Sequence, residues 1–251
     1  MIEGVFYIES QGNNRAVVKS ALEKLVEEMK GEKDLKVAAA TFGKVTEDNG
    51  TYSATAELEL SFNDLRGYLM ACMRYGPSAI TLDSPEKMVM DPKEFLTVLA
   101  EVTAFTRQVL EKYGIHFSFQ EPEEPVETGL EEEEIEALQD QKALRVKIVV
   151  ERPEEEEKAK NIFLAAIDPE AFVNKVKTSR LDDRSLVAVE AFMYEPKALL
   201  KISLEHTPIL IELLEPEELE LTLFDIQDMG LELAATYFEM AHLTMHRGSH
   251  S

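Results

Sequence analysis

Polar and apolar positions alternate most cleanly over Thr51–Leu60. Tyr52, Ala54, Ala56, Leu58 and Leu60 fall on one face there, and Ser53, Thr55, Glu57 and Glu59 on the other. This is the period-two signature of a strand with one buried face. Ahead of it, Val5–Glu9 is a short β-branched and aromatic run that predicts a strand. Ser10–Asn14 interrupts it and offers Asn13 or Asn14 as a helix cap. Val18, Leu22, Leu25, Val26 and Met29 then recur at helical spacing and predict a helix over Arg15–Lys30. Leu35–Val45 reads as the second strand, turned into the third by Asp48-Asn49-Gly50, residues that tolerate positive φ. Asn63 or Asp64 caps a second helix that runs to Tyr75 and stops at Gly76-Pro77. A strand over Ser78–Leu82, a turn at Pro85, an extended piece over Met88–Met90 and a helix over Pro92–Tyr113 follow.

The chain then repeats itself. Laid over one another without a gap, Tyr75–Leu110 and His206–Ala241 place Pro77 on Pro208, Ile80 on Ile211, Leu82 on Leu213 and Pro85-Glu86 on Pro216-Glu217. The second copy is predicted to hold a strand over Leu144–Val150, a helix from Arg152-Pro153 to Ile167 and a strand over Phe172–Lys177. A turn at Leu181–Arg184, a strand over Leu186–Phe192, a helix from Pro196, a strand over Ile209–Leu214 and a helix over Phe224–Leu243 complete it. Each copy thus reads β-α-β-β-α-β with an added helix, the ferredoxin-like split βαβ arrangement with an antiparallel sheet and helices on one face. The expected fold class is α+β, a tandem duplication whose copies pack as a pseudo-dimer within one chain. The expected divisions are a first repeat over 1–119, an acidic linker over 120–142, a second repeat over 143–245 and a tag remnant over 246–251 (HRGSHS). Pro122, Pro125 and the Glu131–Glu134 run mark the linker as disordered or as a solvated helix.

Charge narrows the partners. With 49 acidic residues against 26 basic ones, the formal net charge of −23 disfavours nucleic acid and anionic membrane surfaces, both of which need Lys/Arg neutralisation. No apolar run approaches the roughly 18 residues of a membrane span. A single cysteine, Cys72, allows no intrachain disulfide, so a cytoplasmic location is expected. Abundant Glu beside few Asn and Gln gives the composition a thermophile-like cast.

Asp64-Leu65, Gly76-Pro77, Ala79-Ile80-Thr81-Leu82, Pro85-Glu86 and the helix to Tyr113 resemble the C-terminal extension domain of bacterial WYL-type transcriptional regulators. Thr207-Pro208, Ile211, Leu213 and Pro216-Glu217 repeat that likeness in the second copy. The resemblance covers the back half of each repeat and implies a ferredoxin-like fold. No helix-turn-helix pattern accompanies it, so direct DNA contact is not expected.

No P-loop, nucleophile elbow, His-Glu-x-x-His or Cys-x-x-Cys pattern appears, and no cofactor is expected. His116, His206 and His242 are far apart. His206 ends a helix, where a cation offsets the dipole, and reads as structural. Cys72 falls on an inward stripe and reads as a core thiol. Asp182-Asp183 read as turn residues. Two ligand candidates remain. Gln11, Asn13 and Arg15 form a loop at a helix N-terminus that suits an anion, and Arg74-Tyr75 are a basic and an aromatic residue on an acidic chain. The equivalent of the first loop in the second copy, Glu151–Glu155, carries acids of its own. The leading expectation is a non-enzymatic regulatory or protein-interaction module, with another protein or a second copy of itself as partner. The alternative is a small-molecule binding protein or enzyme with a site in the cleft between the repeats.

Overall fold

A computed structural model describes residues 1–115, 119, 121, 122 and 126–248, with side chains through Met240. His116 and the end of the tag-like tail lie outside the described residues, and so does the side chain of His242. The chain runs β1 (Ile2–Gly12), α1 (Arg15–Lys30), β2 (Leu35–Phe42), β3 (Thr46–Asp48), β4 (Thr51–Phe62), α2 (Leu65–Tyr75), β5 (Ala79–Ser84), β6 (Lys87–Met90) and α3 (Pro92–Tyr113). It continues with α4 (Glu132–Asp140), β7 (Leu144–Arg152), α5 (Glu156–Ile167), β8 (Phe172–Leu181), β9 (Arg184–Met193), α6 (Pro196–His206), β10 (Leu210–Glu215), β11 (Leu219–Thr222) and α7 (Leu223–Gly248). The protein is α+β with antiparallel sheets.

Two compact units divide this chain. The first comprises residues 1–88 and 221–251, the second residues 89–220. In the first unit the sheet order is β2-β4-β1-β5, with β3 paired to the far end of β4. Ile2, Phe6 and Ile8 of β1 and Ala54, Ala56, Leu58 and Leu60 of β4 point to the core. The alternation of β1 extends from Ile2 to Gly12, well past the Val5–Glu9 run, because its whole length pairs with β4. The predicted second strand ends early at Phe42, and Thr46–Asp48 forms a separate strand. The Asn14 side chain caps α1 through Ala16 and Val17. Asp64 caps α2 through Gly67 N at 2.7 Å, and Gly76 ends that helix in the left-handed region at φ 50. Cys72 is buried, as its stripe implied, and burial pushes its thiol well above the ordinary value.

In the second unit the order β10-β7-β9-β8 gives the same connectivity, with α5 packed on β8 and β9 and α6 on α3. Strand β8 runs on to Leu181 and meets β9 in a two-residue turn at Asp182-Asp183, Asp182 having φ 53. Arg152-Pro153 does not begin a helix. The β7 strand reaches Arg152 and α5 starts only at Glu156. Proline cannot donate to a ladder, so the strand ends there.

Two departures concern the connections. The acidic linker is not simply solvated: α4 buries Leu138 against Ala143 and Phe192, flanked by Leu130 and Ile135, and Gln139 donates to Glu215 at 2.8 Å. The division at 1–119 and 143–245 is also not the one the packing follows. Helix α3 packs on α6 and β10 in the second unit, and α7 packs on α2 and β5 in the first. Strands β6 and β11 pair as a two-stranded sheet; the chain leaves the first unit within β6 and re-enters it within β11.

Candidate functional site

The alternation of β7 builds the site. Leu144, Val146, Ile148 and Val150 are buried, and the same phase carries Arg152 inward at the strand end. Arg152 retains 9% of its exposure. Its Nε and Nη2 are sealed from solvent and have no hydrogen-bond partner among the described residues. Burial pulls the guanidinium below its ordinary value, while the nearby charge of Glu154 pulls the other way. Arginine remains protonated even so. No hydrogen bond joins Arg152 to Glu154, whose own Oε2 is buried without a partner. A buried ion left unpaired is destabilising by several kcal/mol on the order-of-magnitude scale.

Beside it stands His206, the last residue of α6, at 5% exposure. The ring of Phe119 joins the two. Its centroid lies 4.5 Å from Arg152 Cζ and 4.5 Å from the imidazole, stacked at 26°. Phe163 meets the imidazole edge-on at 5.2 Å. Neither imidazole nitrogen has a hydrogen-bond partner among the described residues; the nearest carboxylate, on Glu205, is 4.0 Å from Nε2. Burial first, then the charges of Arg152 and Lys201, push the His206 pKa down to about 3. The ring is therefore neutral near pH 7 and cannot be the dipole-offsetting cation expected of it. Arg107 takes that place, donating from Nη2 to the carbonyl of Thr207 at 3.0 Å, just past the end of α6.

These groups line a pocket of about 220 Å³ in the second unit. Leu110, Ile115 and Phe119 supply apolar wall, and Glu111, Glu151 and Glu205 supply acid. Glu151 is held by Arg184 at 3.1 Å. The arrangement can recognise charge: a fixed cation with an unfilled hydrogen-bonding edge, beside a neutral imidazole able to donate one hydrogen bond and accept another.

The ligand candidates read from the sequence all lie in the first unit, in two separate places. Arg74 and Tyr75 converge on one carboxylate oxygen of Glu32, at 2.8 and 3.0 Å. Burial, then Glu32, pushes the Tyr75 pKa up to about 12. Gln11 donates to Glu9 at 2.9 Å, and Asn13 and Arg15 are exposed at the start of α1. The sixteen residues of α1 separate this loop from the Glu32 cluster. Arg152 was missed as a ligand group because the acids around it dominated the reading of Glu151–Glu155. The available signal was its phase, a charge in register with a core stripe.

Residues 3–247 match the MJ0538 family, and the chain belongs to that family. Among its relatives is "Uncharacterized protein MJ0538" of Methanocaldococcus jannaschii, 28% identical over 255 residues that cover 95% of this chain and 96% of that protein. No solved structure matches the chain.

Proposed function

We propose that this protein is a non-catalytic, cytoplasmic regulatory module that senses a small anion in the pocket of its second unit. The observation that carries the reading is the guanidinium of Arg152, a residue of the pocket lining, whose buried Nε and Nη2 have no acceptor among the described residues. Folding rarely leaves a buried charge without acceptors, and such groups concentrate where a ligand completes the set. His206 and Phe119 hold that guanidinium in an apolar frame rather than neutralising it. Binding of an anion stabilises the folded state by mass action, which converts ligand concentration into a change in the second unit.

The scaffold for this role is, on the same reading, a tandem pair of ferredoxin-like copies. The orders β2-β4-β1-β5 and β8-β9-β7-β10 are equivalent position by position, which supports a duplication. The recognition site belongs to one copy alone: at the matching place of the other, Ser10 pairs with Ala54 as Arg152 pairs with Ser185.

The test is a thermal-shift screen of the wild type and Arg152→Met against small anions, phosphate, sulfate and carboxylates among them. Sensing predicts that at least one anion raises the melting temperature of the wild type and leaves the variant unmoved. A screen in which no anion separates the two proteins ends this reading.

A further inference from the structure

We infer that the groove between α3 and β10 of the second unit binds a free single-chain anionic amphiphile, in its simplest form an alkyl carboxylate. Its tail lies along the groove walls and its head on Arg107. The groove is distinct from the Arg152 pocket, and Arg107 is the one residue that lines both.

Helical spacing builds one wall. Leu96, Leu99, Ala100, Thr103, Ala104 and Arg107 recur at i, i+3, i+4, i+7, i+8 and i+11 along α3 and share one stripe. The stripe rises about 16 Å from Leu96 to Arg107, at roughly 1.5 Å per residue. Residues 208–211, at the start of β10, form the facing wall, where Ile209 is 51% exposed and Leu210 44%. The space between is about 320 Å³, inside the roughly 300–1,000 Å³ range of small-molecule sites.

Charge selects the occupant. The chain carries 49 acidic residues, yet no carboxylate stands among the described residues that line this groove. Thr103 donates its hydroxyl to the Leu99 carbonyl at 2.8 Å, so the wall short of Arg107 offers no free side-chain donor. Arg107 closes one end. Its Nη2 donates to the Thr207 carbonyl at 3.0 Å, a neutral group that does not meet its charge, and no ion pair joins it to a carboxylate among the described residues. An uncharged trough that ends in one exposed cation matches an apolar chain with a single anionic head.

The first unit treats the same place differently. In the gapless overlay of the two copies, Leu96 falls on Gln227 and Arg107 on Phe238. Gln227 of α7 accepts from the Leu82 amide at 3.0 Å and so ties that helix to the edge strand β5. A leucine at the matching place of α3 cannot make this bond, and the cation has no counterpart.

The test is calorimetric titration of the full chain with butanoate, hexanoate and octanoate, below micelle-forming concentrations, and with octylamine. Octanoate should saturate one site, each added methylene tightening binding by about two- to fourfold, with about fourfold marking full burial. Octylamine should bind at least tenfold more weakly. Arg107→Met, at an exposed position, should weaken octanoate at least tenfold, and Ala104→Phe, which fills the groove, should abolish its binding. No saturable octanoate binding, octylamine equal to octanoate, or affinity independent of chain length would each overturn the assignment. Octanoate binding lost in Arg152→Met and kept in Arg107→Met would place the anion in the other pocket, against this inference and in favour of the earlier one. Two rival occupants have their own readouts. Flotation with phosphatidylglycerol vesicles that Arg107→Met prevents would make the groove a lipid-surface contact, and a dimer in sedimentation that Ala104→Phe dissolves would give it to a second copy. Either result overturns the free amphiphile. The chain-length series uses the wild type alone and holds even if a variant fails to fold.

Discussion

The hydroxyl of Tyr68 fills the space that a side-chain methyl at Gly230 would occupy. Tyr68 lies on α2, where its ring packs edge-on against Phe62 at 5.4 Å, and Gly230 lies on α7. Gly230→Ala therefore forces two helices apart and should destabilise the protein by about 1–3 kcal/mol, the usual range for overpacking. The drop should appear in the denaturant midpoint at unchanged slope. In a Tyr68→Phe background the relief should be partial, since ring carbons Cζ at 2.6 Å and Cε1 at 3.0 Å still meet the added methyl. Wild-type stability for Gly230→Ala would contradict the packing of α7 on α2.

His206 should impose a pH dependence on stability. Its folded pKa, about 3, lies below the ordinary value of 6.5, so the unfolded chain binds the proton more readily between those values. Its contribution is complete above pH 6.5 and declines as pH falls through that window, by at most about 1.4 kcal/mol per pH unit. Chemical denaturation between pH 6.5 and 5, above most carboxylate titrations, should show a slope that His206→Asn lacks. Equal slopes in the two proteins would mean that His206 titrates normally.

Arg152→Met should stabilise the ligand-free protein. It removes a buried charge without a hydrogen-bonded partner and keeps most of the volume, against the loss of one cation–π contact with Phe119. The expected gain is about 1–2 kcal/mol, read as a rise in melting temperature. A loss of several kcal/mol would instead make Arg152 a structural residue, satisfied in a way its surroundings do not reveal.

Leu138→Ala tests the docking of α4. The side chain is buried against Ala143 and Phe192, and truncation there should cost about 2–3 kcal/mol, near the low end for core leucines. Faster proteolysis around α4 should accompany it. A solvated helix would show neither change.

Much of the scaffold was legible because local rules and tertiary packing agree there. The alternation over β4, the caps at Asn14 and Asp64 and the stop at Gly76 each follow from one short stretch. The docking of α4 was hidden by its glutamates, although Leu130, Ile135 and Leu138 mark one sticky side. The placement of α3 and α7 was not legible at all. An apolar helix face states that it is buried but not which sheet buries it, and two similar sheets offer it equal choices. The site escaped for a related reason. His206 was weighed as a helix-end cation and Arg152 as one member of an acidic loop, and only burial turns the first neutral and leaves the second without acceptors.

The placement of α7 also sets an order of completion. The first unit begins at Met1 yet takes its last helix from Leu223 onward, so during synthesis its sheet and α2 emerge long before the element that covers them. The second unit, residues 89–220, is fully translated by then. Domains ordinarily finish in the order in which they leave the ribosome. Here the unit that starts first closes last, and its apolar surface between β5 and α2 stays open until α7 has been made.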